Sequence, residues 1–129
     1  MREIKFRVWD KKEKRMMYPD ELIAISPTGN EKLNYARLGS NGDYLWDKGV
    51  LLQYTGLKDK NKEEVYDTDI IKIDNSILEV VKVDGGFIVR GINIEYENNI
   101  IDEWKRYRDK IIKLGNKYEN PELLEAKDE

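Results

Sequence analysis

Leu78-Glu79-Val80-Val81-Lys82-Val83-Asp84-Gly85-Gly86-Phe87-Ile88-Val89-Arg90-Gly91 is the stretch that decides the fold class. Two runs rich in β-branched and aromatic residues flank Asp84-Gly85-Gly86. Asp-Gly or Gly-Gly between such runs marks a tight hairpin, because the primed turns need positive φ, which glycine adopts without steric penalty. The glycine pair is not a phosphate cradle: nucleotide-binding glycine motifs need a fixed spacing and a helix after the turn, and here strands lie on both sides.

Upstream, Ile70, Ile71 and Ile73 carry β-propensity, and Leu51, Leu52 and Tyr54 read as a strand ended by Gly56. Residues 1–10 alternate Ile4, Phe6 and Val8 with Glu3, Lys5 and Arg7, the period of a half-buried strand. The charged run 11–15 then makes a tight connection to a second strand at 16–18, and Pro19, which lacks the donor a central ladder needs, ends it. Short apolar segments at 21–26 and 33–38 are separated by the turn clusters 27–30 and 39–43.

Downstream, 100–112 has two readings. As a helix, Ile100, Trp104, Tyr107 and Ile111 share a face, with Asp102 and Glu103 near the start and basic residues toward the end, as the macrodipole favours. As strands, 100–104 and 109–114 would be separate elements. The favoured reading is a short helical or turn-like segment over 102–107, then a strand through Ile111, Ile112 and Leu114 stopped by Gly115.

Many short strands with at most short helices predict a mainly β, antiparallel fold, in which the C-terminal half is able to close as a small SH3-like barrel. Helices long enough to cover both faces of a parallel sheet are missing. The length of 129 residues suits one domain, expected over 1–118, with 119–129 as an acidic tail that docks in part. Eight Tyr, three Trp and two Phe supply core area that offsets the 38% of charged residues.

The composition excludes much chemistry. Without Cys or His there are no disulfides, thiolate or histidine nucleophile systems, histidine bases or Cys/His zinc sites, so an enzyme is not expected. No cofactor and no metal are expected. Asp67 and Asp69, with Asp59 or Glu64, are the nearest approach to a carboxylate cluster, but the spacing fits no calcium loop, and turn capping before the Ile70 strand explains them more simply. No apolar run approaches a membrane span and the start does not read as a signal peptide, so a cytoplasmic protein with no membrane partner is expected.

The formal net charge of -3 gives no general attraction to nucleic acid, yet two basic segments stand out. Lys58, Lys60 and Lys62 lie in a polar excursion where they suit phosphate contacts, with Tyr54 and Tyr66 near enough in sequence to stack on bases. Lys105, Arg106 and Arg108 surround Trp104 and Tyr107. The plainer reading of both is a solvated connection shaped by Asp59 and Asn61, and a helix whose aromatics anchor the core. Leu123 and Leu124 are apolar side chains in a charged tail, suited to docking on their own domain or on another copy.

Gln53-Tyr54-Thr55-Gly56-Leu57-Lys58-Asp59-Lys60-Asn61, followed by Glu64-Val65-Tyr66-Asp67-Thr68-Asp69-Ile70-Ile71, resembles the YopX family of phages and prophages. The opening Arg2-Glu3-Ile4-Lys5-Phe6-Arg7-Val8-Trp9-Asp10 and the closing Gly115-Asn116-Lys117-Tyr118-Glu119-Asn120-Pro121-Glu122-Leu123-Leu124 are similar to that family's ends. Two positions depart from its common pattern: Lys62 stands where a glycine often follows the Asn, and Asp67-Thr68-Asp69 stands near a frequent Glu-Gly-Asp. The Asn61-Lys62 loop is then longer or strained, unless Asn61 supplies the left-handed residue. The resemblance implies an uncharacterised phage-borne accessory protein and carries no catalytic residues. The expected function is noncatalytic protein binding or self-association, as a homo-oligomer or with a host or phage protein. The alternative is nucleic-acid binding through the basic loops of a small β-barrel.

Overall fold

The computed structural model describes residues 5–21, 24–27, 32–38 and 44–125, with side chains for 5–20 and 49–125. The turn residues expected at 28–30 and 39–43, and the last four residues of the tail, lie outside the described residues, as does the side chain of Trp46. The chain divides into two compact units, Ile4–Gln53 and Tyr54–Glu129 together with Met1–Glu3. Sequence alone gave no sign of this division, because the boundary falls inside one strand.

In the first unit, β1 (Phe6–Asp10) and β2 (Arg15–Met17) form the expected hairpin, with Val8 opposite Met17 and Asp10 opposite Arg15. Asp10 Oδ1 accepts the N–H groups of Lys12 and Glu13, both at 2.9 Å, and Lys14 takes φ 54° to complete the connection. Strands β3 (Ala24–Pro27), β4 (Lys32–Leu38) and β5 (Tyr44–Lys58) complete an antiparallel sheet in the order β2-β1-β5-β4-β3. Successive residues of β1 are buried on both faces, polar positions included: Arg7 is 0% and Asp10 1% exposed. The alternation at the N-terminus had put Arg7 in solvent; the guanidinium instead lies 6.0 Å from the Tyr18 ring centroid.

The second unit contains β6 (Glu64–Tyr66), which pairs with the end of β5, and a sheet of β7 (Asp69–Ile73), β8 (Ser76–Val83), β9 (Gly86–Gly91), β10 (Glu97–Asn99) and β11 (Ile111–Asn116). Its order is β10-β9-β8-β7-β11, antiparallel throughout. This corrects the expected C-terminal SH3-like barrel. The sheet is open, with β10 and β11 at opposite edges, and the curled half-barrel belongs to the earlier strands. The physical reason is the helix α1 (Ile100–Tyr107), which covers the face that closure would have enclosed. Ile100 and Trp104 pack on Ile71, Ile73, Leu78, Val80, Phe87, Val89 and Ile111 in one core.

Helix α1 starts where Asn99 Oδ1 accepts the N–H of Ile101 at 2.8 Å, an N-cap that settles the ambiguity of 100–112. Asp102 and Glu103 in the first turn and Lys105 and Arg106 in the last complement the macrodipole. A 3-10 turn over Arg108–Lys110 then leads into β11. Gly115 does not stop β11; the register shifts between Lys113 and Gly115, and the strand continues to Asn116. Gly56 likewise lies inside β5, at φ 85°, where the pairing with β6 shifts between Tyr54 and Leu57. Both glycines mark bulges.

In the β8–β9 hairpin Val83 faces Gly86, leaving Asp84 and Gly85 as the turn. Positive φ occurs at Gly85 (83°) and not at Asp84, so the turn is not of the primed kind the sequence predicted, which needs it at the first central position. A Cβ at either Gly85 or Gly86 would meet no atom within 4 Å. Gly85→Ala is therefore expected to lower stability by about 1 kcal/mol through backbone strain alone. Gly86→Ala, without that strain, is expected to change it by less than about 0.5 kcal/mol, both measured by urea denaturation.

Candidate functional site

The lysine segment begins where β5 ends. The bulge is fixed by Thr55, whose Oγ1 donates to Val65 O at 2.7 Å and accepts the Leu57 N–H at 3.1 Å. Beyond Lys58 the chain closes on itself: Asp59 N donates to Glu63 O at 2.9 Å and Lys62 N to Asp59 O at 3.0 Å. Inside the turn the Asp59 carboxylate, 5% exposed, accepts the N–H groups of Asn61 at 2.8 Å and Glu63 at 3.0 Å through Oδ1. Its Oδ2 accepts the N–H of Lys113, from β11, at 2.9 Å. A buried carboxylate is tolerable when its oxygens are bonded in this way.

Two further bonds tie the loop to α1 and to the start of β11. Lys60 N donates to Ile111 O at 2.9 Å, and the Trp104 indole donates to Lys58 O at 2.8 Å. The two basic segments, far apart in sequence, thus run side by side. Lys58, Lys60, Lys62, Lys105, Arg106 and Arg108 are all exposed. At 3.6 residues per turn Arg108 lies about 40° and Lys105 about 100° around the axis from Trp104, on the flank away from Glu103. Arg106 is the farthest from Trp104 and belongs to the opposite flank.

The aromatic members of the expected site are not available. Tyr66 is 1% exposed and Tyr54 3%, their ring centroids 5.4 Å apart, so neither offers a face to a base. Trp104 is in the core. Lys113, the last cation of the basic run that begins at Lys105, points inward: its Nζ donates to Glu64 O at 3.0 Å and lies 3.3 Å from Asp69 Oδ2. Asp69 also accepts the Tyr66 N–H at 2.7 Å, whereas Asp67 accepts the Lys82 N–H at 3.2 Å, so the pair serves turn and strand contacts. Among the described residues no three His, Cys, Asp or Glu side chains come together as metal ligands.

The tail is anchored by polar groups. Asn116, 2% exposed, accepts the N–H groups of Tyr118 and Glu119 through Oδ1 and donates to Glu119 Oε1. Asn120 Oδ1 accepts the Asn116 N–H at 3.2 Å and occupies the space where a Gly115 Cβ would stand. Leu123 is half-buried in the 3-10 turn Pro121–Glu125, and Leu124 is exposed.

A family model described as YopX protein matches residues 5–125. The chain belongs to the YopX family. Among solved structures it is similar to protein EF1440 from Enterococcus faecalis, with a TM-score of 0.66 and 26% sequence identity over 96% of this chain and 99% of that one. No curated protein matches it. Among the described residues no helix is long and apolar enough to cross a membrane.

Both departures from the common YopX pattern fall on left-handed backbone. Lys62, not Asn61, takes φ 66°, and Thr68 takes φ 73°. Thr68 is the severe case, since a β-branched residue at positive φ is strained. Its backbone is held on both sides, by Thr68 N donating to Val80 O at 2.9 Å and Lys117 N donating to Thr68 O at 3.1 Å. Its buried Oγ1 has no hydrogen-bond partner.

Thr68→Gly, which removes the strain and the unsatisfied hydroxyl at some entropic cost, is expected to stabilise this YopX protein by about 1 kcal/mol, read as a raised melting temperature. Asp59→Asn keeps a single acceptor oxygen, so with that oxygen on the loop its NH2 is set against the Lys113 N–H, donor against donor. It is expected to lose roughly 1–3 kcal/mol and to speed hydrogen exchange at the Lys113 amide.

Proposed function

We propose that this YopX protein acts without catalysis as a phage or prophage accessory protein, and that its second unit holds nucleic acid by the phosphate backbone. The loop 58–63 and the segment 105–108 form the contact surface. The observation that carries this is the set of bonds from Asp59, Lys60 and Trp104, which fixes two lysine- and arginine-bearing segments beside each other in a rigid frame. With the main chain of both segments held, only side-chain freedom is lost when phosphates bind, and a locally positive surface suffices despite a net charge of -3.

Self-association through strand edges has less support in this unit. The outer edge of β11 is occupied at Ile111 O and Lys113 N by the loop, and β10 at the other edge is three residues long. Leu124 alone, 36% exposed, is too small a patch for a stable interface.

With Tyr54, Tyr66 and Trp104 buried, no stacking platform supplements the cations, so binding is expected to be indifferent to base identity and strongly salt-dependent. Anisotropy titration with labelled duplex DNA, single-stranded DNA and RNA tests this. If four or five phosphates are engaged, affinity should fall by about 100-fold or more between 50 and 200 mM salt. Replacing Lys58, Lys60 and Lys62 together with Gln should abolish most of it. Lack of salt-sensitive binding would reject the reading, and equal affinity for poly-glutamate would redirect it toward an acidic protein.

A further inference from the structure

The opposite flank of α1 borders a cavity of about 170 Å³, between the helix, the β7–β8 turn and the segment before β10. Its walls combine Ile73 and Leu78 with the rings of Tyr96 and Tyr107, and its charged groups are Glu103 and Asp74. Glu103 is 1% exposed. Its Oε1 accepts Asn98 Nδ2 at 2.8 Å and the Tyr96 hydroxyl, and among the described residues Oε2 has no hydrogen-bond donor. Both donors are neutral, and no cationic side chain lines the cavity. Asp74, at the rim, lies 3.7 Å from Lys110 in an exposed pair.

A buried carboxylate without a cation is costly unless something completes its coordination. Asn98 and Tyr96 hold Oε1 and orient the group, so what remains is one oxygen with both lone pairs open to the cavity. Burial, together with the hydrogen bond and negative charge of Glu103, pushes the Tyr96 phenol above its ordinary value of 10.0, so it remains a neutral donor to that carboxylate at physiological pH. We infer that this cavity binds a primary ammonium group on a short apolar chain, either a free alkylamine or the end of a lysine side chain. An ammonium is a compact donor of three N–H groups, one of which the open Glu103 oxygen can accept while Asp74 and Ser76 supply further acceptors in the lining, whereas a guanidinium fork prefers both oxygens of one carboxylate, and here Oε1 is already taken. A cavity of about this size holds a ligand of roughly six heavy atoms.

The test is an NMR titration of the full chain at pH 7 with n-butylammonium, 1-butanol, n-butylguanidinium and an end-capped tripeptide with lysine at its centre. Butylammonium is expected to bind saturably, at least tenfold more tightly than butanol and more tightly than butylguanidinium, with NOEs from its methylenes to the methyl groups of Ile73 and Leu78. Glu103→Gln, which keeps an acceptor for Tyr96 and Asn98, should weaken it at least tenfold. If that variant does not fold, Asp74→Asn at the rim should still weaken binding severalfold, and the NOEs stand on the natural chain. Tighter binding of the tripeptide assigns the site to a partner's lysine, and its exclusion while butylammonium binds assigns it to a free amine. Equal affinity for butanol, indifference to both substitutions, or shifts scattered over surface carboxylates would overturn the inference. This site is independent of the basic face, so either can fail alone.

Discussion

The carboxylate of Asp59 is the group on which the second unit's organisation turns. It collects three main-chain N–H groups, two from its own loop and one from β11, and each of the three would otherwise need another partner in a crowded place. Its position accounts for several features together. The loop is a closed turn, so the lysines on it have fixed origins. The free edge of β11 is covered without adding a strand. The end of β5 is brought against α1, where the Trp104 indole finds Lys58 O. Charge is well suited to this duty, because a carboxylate accepts several bonds at once and holds them more strongly than a neutral acceptor does.

What could be read from sequence follows from which interactions are local. The β8–β9 hairpin was legible because alternation and an Asp-Gly turn are encoded within fourteen residues, whereas 100–112 stayed open between helix and strands, favoured as helical only over 102–107, because its apolar spacing fits both and the Asn99 cap that decides it was not read. Gly56 and Gly115 were misread as strand ends, since a glycine in a strand breaks a pattern equally well as terminus or bulge. What decides is non-local: Val65 O across from Thr55, and the Asn120 side chain over Gly115. Arg7 was misread for a related reason. Alternation assigns a face but not whether the other face is covered, and in β1 both are, Arg7 and Val8 alike being buried.

The candidate site was legible in its charges and illegible in its aromatics. Lysines and arginines at the surface of turns and short helices go outward almost by default, and Lys58, Lys60, Lys62, Lys105 and Arg108 are all exposed. Tyr54, Tyr66 and Trp104 occur beside them in sequence, and a stacking surface was a fair inference from composition. The unit is small, however, and bulky side chains are what it has to fill its interior. Once Trp104 and Tyr66 are spent on the core, what this face presents is charge, with geometry supplied by the main chain.

Helix α1 shows how one short element separates two environments. Trp104 turns one flank toward the loop, with Arg108 and Lys105 on that side; Glu103, one residue earlier and about 100° around the axis, enters the opposite cavity. In sequence Glu103 is merely an acidic residue in the first turn, a favourable macrodipole partner that would be equally happy in solvent. Its burial depends on Tyr96 and Asn98, which the chain delivers immediately before the helix. Because the same rotation that anchors Trp104 in the core also drives Glu103 inward, neither can be moved without the other. A buried acid is therefore built into the helix's attachment to the sheet.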